Sequence, residues 1–111
     1  MANQFKSKAL TLTDTNEVSL LTVTGSSVYI IGSIIVTNRT AGTDSTIDMR
    51  MYDDSESLHV YLLNAEPINR TISREILARP VVLELGDSLK LQAASGNVYD
   101  VYVSYLDRNR S

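Results

Sequence analysis

The sequence predicts an all-β domain, a single antiparallel β-sandwich of the jelly-roll type. Three observations favour this class. Val, Ile and Thr, which suit strands, supply 28 of the 111 residues. Apolar and polar residues alternate in many short runs, and this period places one face of a strand against a core. Turn residues separate the runs about every ten positions, a spacing typical of sandwiches and jelly rolls.

The chain divides into one domain and two short ends. Residues 1–8 are polar, so we expect a flexible N-terminal arm. Residues 9–107 carry the predicted sandwich, and residues 108–111 form a C-terminal tail. Within the domain, the first two strands are short. One covers residues 10–13 and stops at Asp14, and the other covers residues 18–24.

The most apolar run covers residues 28–37. Simple alternation places Val28, Ile30, Ile34 and Val36 on one face and Tyr29, Ile31 and Ile35 on the other. A strand that is apolar on both faces lies centrally in a sandwich or is covered by a partner. Gly32, in its middle, predicts a bulge or a close approach of another backbone.

The central part of the chain is acidic. Residues 41–66 contain one arginine and six carboxylates, a net charge of −5. They include a half-buried strand at 47–51, an acidic turn at 53–57 and another strand at 58–63. The acidic segment could pack against copies of the chain by charge complementarity, but a solvated segment is the favoured interpretation. Residues 69–79 fit either a short helix or an irregular strand, and the β surroundings favour the strand.

The C-terminal third has the clearest pattern. Alternating runs at 83–85, 89–93 and 99–105 are separated by Gly86-Asp87 and by a Ser-Gly-Asn turn. Three antiparallel strands joined by tight turns are the simplest structure that fits this pattern.

Few residues could carry chemistry. His59 is the single histidine and has no accompanying nucleophile motif, so we expect no enzyme activity. Without Cys the chain forms no disulfide or thiolate metal site. We expect no cofactor and no metal, although the acidic turn at 53–56 leaves calcium binding open. The net charge of −3 argues against nucleic acid as a partner, and no run is long and apolar enough for a membrane. The N-terminus lacks the apolar region of a signal peptide, so we expect synthesis in the cytoplasm.

The C-terminal run PVVLELGDSLKLQAASGNVYDVYVSYLD resembles a signature of small virion proteins of tailed bacteriophages. The shared pattern is a strand with Pro80 near its start, a Leu-x-x-Gly-Asp-x-Leu turn, a small-residue segment and a final strand ending Ser-Tyr-Leu. The central runs IIVTNRTAGTDSTIDMRMYD and HVYLLNAEPI are also similar, so the resemblance covers residues 28–106. The chain departs from the pattern at Arg70, Arg74 and Arg79, where a Gly/Ser-rich linker is usual.

The resemblance implies a non-enzymatic structural protein of the virion, made in the host cytoplasm. It would act as a capsid decoration or as a neck, collar or tail component. The expected partners are other phage virion proteins and copies of the chain, most simply in a trimer. The alternative is a carbohydrate- or receptor-binding module of a phage fibre, which would keep a concave, tyrosine-lined patch open. The predicted assembly-interface residues come from the two most apolar strands: Tyr29, Ile31, Ile35, Tyr99, Tyr102 and Tyr105.

Overall fold

The structure is a computed structural model that describes residues 2–40, 42 and 44–109. Its nine strands form two antiparallel sheets that pack face to face. In chain order the strands are β1 (Ala2–Leu12), β2 (Val18–Thr22), β3 (Ser27–Asn38), β4 (Ser45–Asp53), β5 (Leu58–Ile68), β6 (Ser73–Glu75), β7 (Val81–Leu83), β8 (Ser88–Ala93) and β9 (Tyr99–Asn109). The predicted all-β sandwich is confirmed, and the described residues contain no helix.

The strand order is that of a jelly roll. The front sheet has the order β1-β9-β3, with β6 and β7 both pairing the outer edge of β3. The back sheet has the order β2-β8-β4-β5. The pairs are therefore nested: β1 with β9, β2 with β8, β3 with the broken strand β6/β7, and β4 with β5. This is the arrangement of an antiparallel ribbon rolled into two layers.

The core lies between the sheets and is made almost entirely of aliphatic side chains. The last strand shows why it forms, because Tyr99, Val101 and Val103 point inward and are buried, as their alternation predicts. Leu89 and Leu91 of β8 oppose them from the back sheet. The other buried hydrophobic residues are Leu12, Leu20, Leu21, Val23, Ile31, Ile34, Val36, Ile47, Met49, Ile68, Ile76, Leu83 and Ala93.

The three C-terminal runs do not form the predicted three-stranded meander. β7 and β9 belong to the front sheet and β8 to the back sheet. The turns carry the chain between layers, where Gly86 donates its N–H to the Val23 carbonyl and Ala94 to the Thr46 carbonyl. Both arrangements bury alternate residues, so a period of two does not distinguish a meander from strands that change sheet.

The ends of the domain also differ from expectation. Residues 2–8, for which the sequence predicts a flexible arm, continue β1 and pair with residues 103–109 of β9. Residues 108 and 109, placed in the predicted tail, belong to β9, and the last two positions of that tail lie outside the described residues. The front sheet is therefore longer than the back sheet, since β1, β3 and β9 have 11, 12 and 11 residues.

A bulge at Gly32 divides β3 into two halves with opposite alternation. The register with β9 shifts between Ile31 and Ser33, as Gly32 predicts, and a Cβ atom added at Gly32 would meet no described heavy atom within 4 Å. Ile31 points into the core before the bulge, and Ile34 does so after it. The Glu75 carboxylate accepts hydrogen bonds from the Ser33 hydroxyl and, at 2.7 Å, from the Ile34 N–H. The ambiguous segment 69–79 therefore supplies β6, an irregular strand whose Glu75 closes the bulge.

Candidate assembly surface

The outer surface of the front sheet, here called the front face, carries two rows of apolar side chains. Directly opposed residues in antiparallel strands share a face. The register therefore aligns Phe5, Leu106, Ile30 and Val82 across β1, β9, β3 and β7. Phe5 is 90% exposed and Val82 51% exposed. This row crosses the whole width of the sheet.

The second row lies on the other side of a strip of hydroxyl groups. It aligns Ala9, Tyr102 and Ile35, of which Tyr102 is 46% and Ile35 39% exposed. Serines of β1, β9 and β3 separate the two rows: Ser7, Ser104 and Ser33. Small residues between two ridges leave shallow grooves. Another groove, of about 420 Å³, lies on the far side of the second row and is lined by Ala9, Leu10, Thr11, Ile35, Thr37, Asp100, Val101 and Tyr102.

The centre of the front face has no charged side chain among the described residues. The charged groups lie at its margins, where Asp100 pairs with Arg39 at 2.7 Å and Glu75 is held by the bulge. The two rows expose roughly 400 Å² of apolar surface, judged from the usual areas of these side chains. The largest apolar patch of a typical monomer covers about 300–600 Å² and is often functional. The front face is therefore suited to contact with another protein.

Two of the six predicted interface residues lie on the front face. Tyr102 and Ile35 are opposite each other in the register and form its second row. Tyr29 and Tyr105 lie on the inner side near one end of the sandwich, half-buried, with their ring centroids 4.9 Å apart. They pack against the core and do not join the front-face rows.

The prediction is wrong for Ile31 and Tyr99, which are both 0% exposed inside the sandwich. Unbroken alternation along β3 puts Ile31 and Ile35 on the same face. The bulge at Gly32 instead sends Ile31 into the core and Ile35 outward. Tyr99 opens β9 on its inward-facing side, together with Val101. Neither side chain is available to a partner.

Buried Tyr99 has a hydroxyl with no hydrogen-bond partner among the described residues. A buried hydroxyl without a partner costs about 1–3 kcal/mol relative to one that is satisfied. We therefore expect Tyr99→Phe to leave stability unchanged or raise it by about 1 kcal/mol, measured by urea unfolding of the purified chain. A loss of more than about 1 kcal/mol would show that the hydroxyl is satisfied in the folded protein.

Sequence reasoning missed Phe5, Ile30, Val82 and Leu106 as surface residues. Phe5 lies in a polar stretch that reads as an arm, so its place in a row depends on the pairing of β1 with β9. Val82 lies in the three-residue strand β7, where it is exposed between half-buried Val81 and buried Leu83. The one available signal was the single Phe of the chain in an otherwise polar N-terminus.

The outer surface of the back sheet is polar by comparison. Arg50 donates from its Nε to Glu17 at 2.7 Å and lies 5.6 Å from the centroid of the Tyr61 ring. His59 is exposed on β5, with its ring 4.7 Å from that of Tyr52. These side chains contact one another across the outer surface of β4 and β5.

The acidic turn between β4 and β5 uses its carboxylates locally. Asp53 accepts hydrogen bonds from the Ser55 N–H at 3.1 Å and from the Ser55 hydroxyl at 2.8 Å. In the described ranges, no three His, Asp or Glu side chains come together as metal ligands. Nor does that part of the chain include a helix long and apolar enough to cross a membrane.

An ion pair holds the N-terminal half of β1 to the front sheet. Lys6 Nζ donates to Asp107 Oδ2 at 2.9 Å, and the Asp107 side chain is buried while Lys6 is partly exposed. The hydrogen bond from Lys6 is the main reason that the pKa of Asp107 lies below its ordinary value, with a further bond from Ser27. The bond to Asp107 likewise raises the pKa of Lys6. Residues 3–9 of β1 bury nothing in the core, so this pair is their main side-chain anchor.

The pair predicts how stability depends on pH. The pKa of Asp107 is lower in the folded protein than in the unfolded chain, where an Asp has a pKa of about 4. The ion pair therefore stabilises the folded protein above that pH, and this stabilisation is lost as the pH falls through the folded-state pKa. We expect the difference in melting temperature between the wild type and Lys6→Met to be constant from pH 5 to 8 and to shrink below about pH 4. A difference that stays constant down to pH 2 would contradict the role of the pair. Arg79→Met is the control, because Arg79 is exposed and forms no ion pair in the described structure.

Comparison with known structures places the fold among β-rich domains that share almost no sequence with it. No family model and no curated protein matches the sequence. A subunit of the disulfide-linked pili of Bacillus endospore appendages matches with a TM-score of 0.59 at 8% identity, over 99% of this chain and 88% of that chain. The Drosophila NLP core, studied for pentamer formation and histone binding, matches with a TM-score of 0.55 at 13% identity, over 95% of this chain and 98% of that chain. At these identities the likeness shows the fold alone.

Proposed function

We propose that this chain is a non-enzymatic structural subunit of a tailed-bacteriophage particle, where it binds copies of itself and other virion proteins. The front face is the observation that carries this proposal. It offers a broad, ridged surface whose centre has no charged side chain among the described residues, which suits contact with a protein surface. The motifs around Gly86-Asp87 and in β9 supply the resemblance to phage virion proteins.

The proposed place in the particle is a capsid decoration or a neck, collar or tail component, with a trimer as the unit of assembly. The trimer follows from the phage resemblance. The fold supports assembly in general, since the pilus subunit and the NLP core use a similar sandwich in a pilus and in a pentamer. This chain contains no cysteine, so its copies cannot be joined by disulfides as in the disulfide-linked pilus.

A carbohydrate- or receptor-binding module is less well supported. Such a module would gather its exposed tyrosines in one concave, open patch. The two clearly exposed tyrosines lie on opposite sheets, Tyr102 on the front sheet and Tyr61 on the back sheet. One face of the Tyr61 ring is also occupied by Arg50.

The proposal is tested in phage particles that lack the gene and receive the protein from a plasmid. We expect the wild-type chain to be recovered with purified particles in a fixed number of copies, counted by quantitative mass spectrometry. Tyr102→Asp should reduce incorporation at least about tenfold, because it places a charge in the centre of the apolar face. Leu85→Asp is the matched control, since Leu85 is 62% exposed in the β7–β8 turn. Absence of the wild-type chain from particles, or equal incorporation of both variants, would refute the proposal.

A further inference from the structure

We propose that copies of this chain join head to tail by strand pairing, with the free edge of β1 in one copy against the free edge of β5 in the next. This inference rests on the self-association in the proposed function and specifies the contact that forms it. It uses the sheet edges, which share only Phe5 with the rows of the front face. The occupant of each edge is a second copy of the same chain.

Only β1 and β5 offer long free edges among the described strands. β1 is paired on one side by β9, and β5 on one side by β4, and each has 11 residues. The other edge strands are short: β2 has five residues, and β6 and β7 have three residues each. A long edge presents a row of unpaired backbone N–H and C=O groups, which is a template for another strand.

The edge at β5 lacks some of the features that normally prevent such pairing, although its register with β4 shifts twice. Natural edge strands are protected by Lys or Pro. The run from 57 to 65 contains no charged residue, and its one proline, Pro67, comes near the end of the strand. Four of its apolar side chains are exposed: Leu58, Val60, Tyr61 and Leu62. Such an edge is suited to being covered.

The charges on the β1 and β5 edges disfavour the pairing of two identical edges. Two β1 edges paired antiparallel about Ser7 would set Lys6 opposite Lys8, and like charges directly opposite are destabilising. Two β5 edges paired about Tyr61 would bring Glu56 of each copy beside Glu66 of the other. Both pairings of identical edges are therefore disfavoured.

The pairing of β1 with β5 joins opposite charges instead. Lys8 lies on the β1 edge and forms no ion pair within the described residues. Asp53, Asp54 and Glu56 precede β5 in the acidic turn and likewise take part in no described ion pair. Lysines on one edge and carboxylates beside the other attract and fix the partner. Phe5, 90% exposed on β1, can then cover part of the apolar run on β5.

The positions of the two edges make the contact head to tail. β1 of the front sheet lies against β2 of the back sheet, and β3 of the front sheet lies against β5 of the back sheet. β2 and β5 are the two opposite edges of the back sheet. The β1 and β5 edges therefore lie on opposite flanks of the sandwich, and one copy can use both at once. A contact between two different patches closes into a ring or extends into a filament. A ring of three agrees with the proposed trimer.

The test is analytical ultracentrifugation of the full chain at tens of micromolar, with circular dichroism to confirm folding of each variant. Val60→Lys, on the β5 edge, should raise the dissociation constant at least about tenfold. Val82→Lys is the control, because Val82 has at least the same exposure but lies on the front face. Lys8→Glu should dissociate the oligomer, and Lys8→Glu combined with Glu56→Lys should restore it.

Each outcome decides the inference. Wild-type chain that sediments as a monomer would overturn it, as would Val60→Lys and Lys8→Glu variants that associate like the wild type. Dissociation by Val82→Lys with no effect of Val60→Lys would assign the contact to the front face and also overturn it. Incorporation of the chain into particles, measured separately by mass spectrometry, tests the proposed function and is independent of these results.

Discussion

Ile31→Asp should prevent the domain from folding, whereas Ile35→Asp, four residues along the same strand, should leave it folded. Ile31 is 0% exposed in the core, and Ile35 is 39% exposed on the front face. An unpaired carboxylate in an apolar interior costs several kcal/mol, at least about 4 here. That is comparable with the whole stability of a typical domain, about 5–15 kcal/mol. At Ile35 the same carboxylate remains in water.

The comparison is made by circular dichroism and thermal unfolding of the two purified variants. We expect no cooperative transition for Ile31→Asp and a cooperative transition near the wild-type temperature for Ile35→Asp. Because both residues are isoleucines on β3, the pair isolates the effect of the bulge at Gly32. Two variants with equal stability would show that β3 has no such change of alternation.

Gly86→Val should destabilise the domain by about 1–3 kcal/mol, because Gly86 has a φ of 86°, which a β-branched residue adopts poorly. A Cβ atom at Gly86 would also lie 2.9 Å from Asp54 Cβ, so the β4–β5 turn would have to move. The turn is tightly held, since Asp87 accepts hydrogen bonds from the backbone N–H groups of Asp54 and Glu84, both at 3.0 Å. Urea unfolding measures the loss.

Gly32→Ala provides the control for this substitution. Gly32 has no positive φ and no atom within 4 Å of an added Cβ, so we expect a change of less than about 0.5 kcal/mol. If Gly86→Val melts at the wild-type temperature, the β7–β8 turn has another conformation. If Gly32→Ala is the more destabilising of the two, the account of both glycines is wrong.

The sequence predicts the fold class well because the class depends on local patterns. The alternation in β9 and β8, the glycine turn at Gly86 and the bulge at Gly32 are properties of neighbouring residues, and the structure confirms all three. The strand partners are not local properties. β7, β8 and β9 alternate as a meander would, yet they lie in different sheets.

The candidate surface is predicted only in part for the same reason. Tyr102 faces outward by the alternation of β9 alone. Alternation counted through Gly32 places Ile31 and Ile35 on one face, but the bulge adds one residue to that count. Phe5 reaches the front face only through the pairing of β1 with β9, which no local pattern in a polar segment indicates.

A cryo-EM reconstruction of purified phage particles containing this chain tests the proposed role most directly. We predict density for several copies of the sandwich at one location on the particle, with the front-face rows through Phe5 and Tyr102 covered by neighbouring protein. Particles without this density, or a sandwich attached elsewhere with its front face open to solvent, would contradict the account.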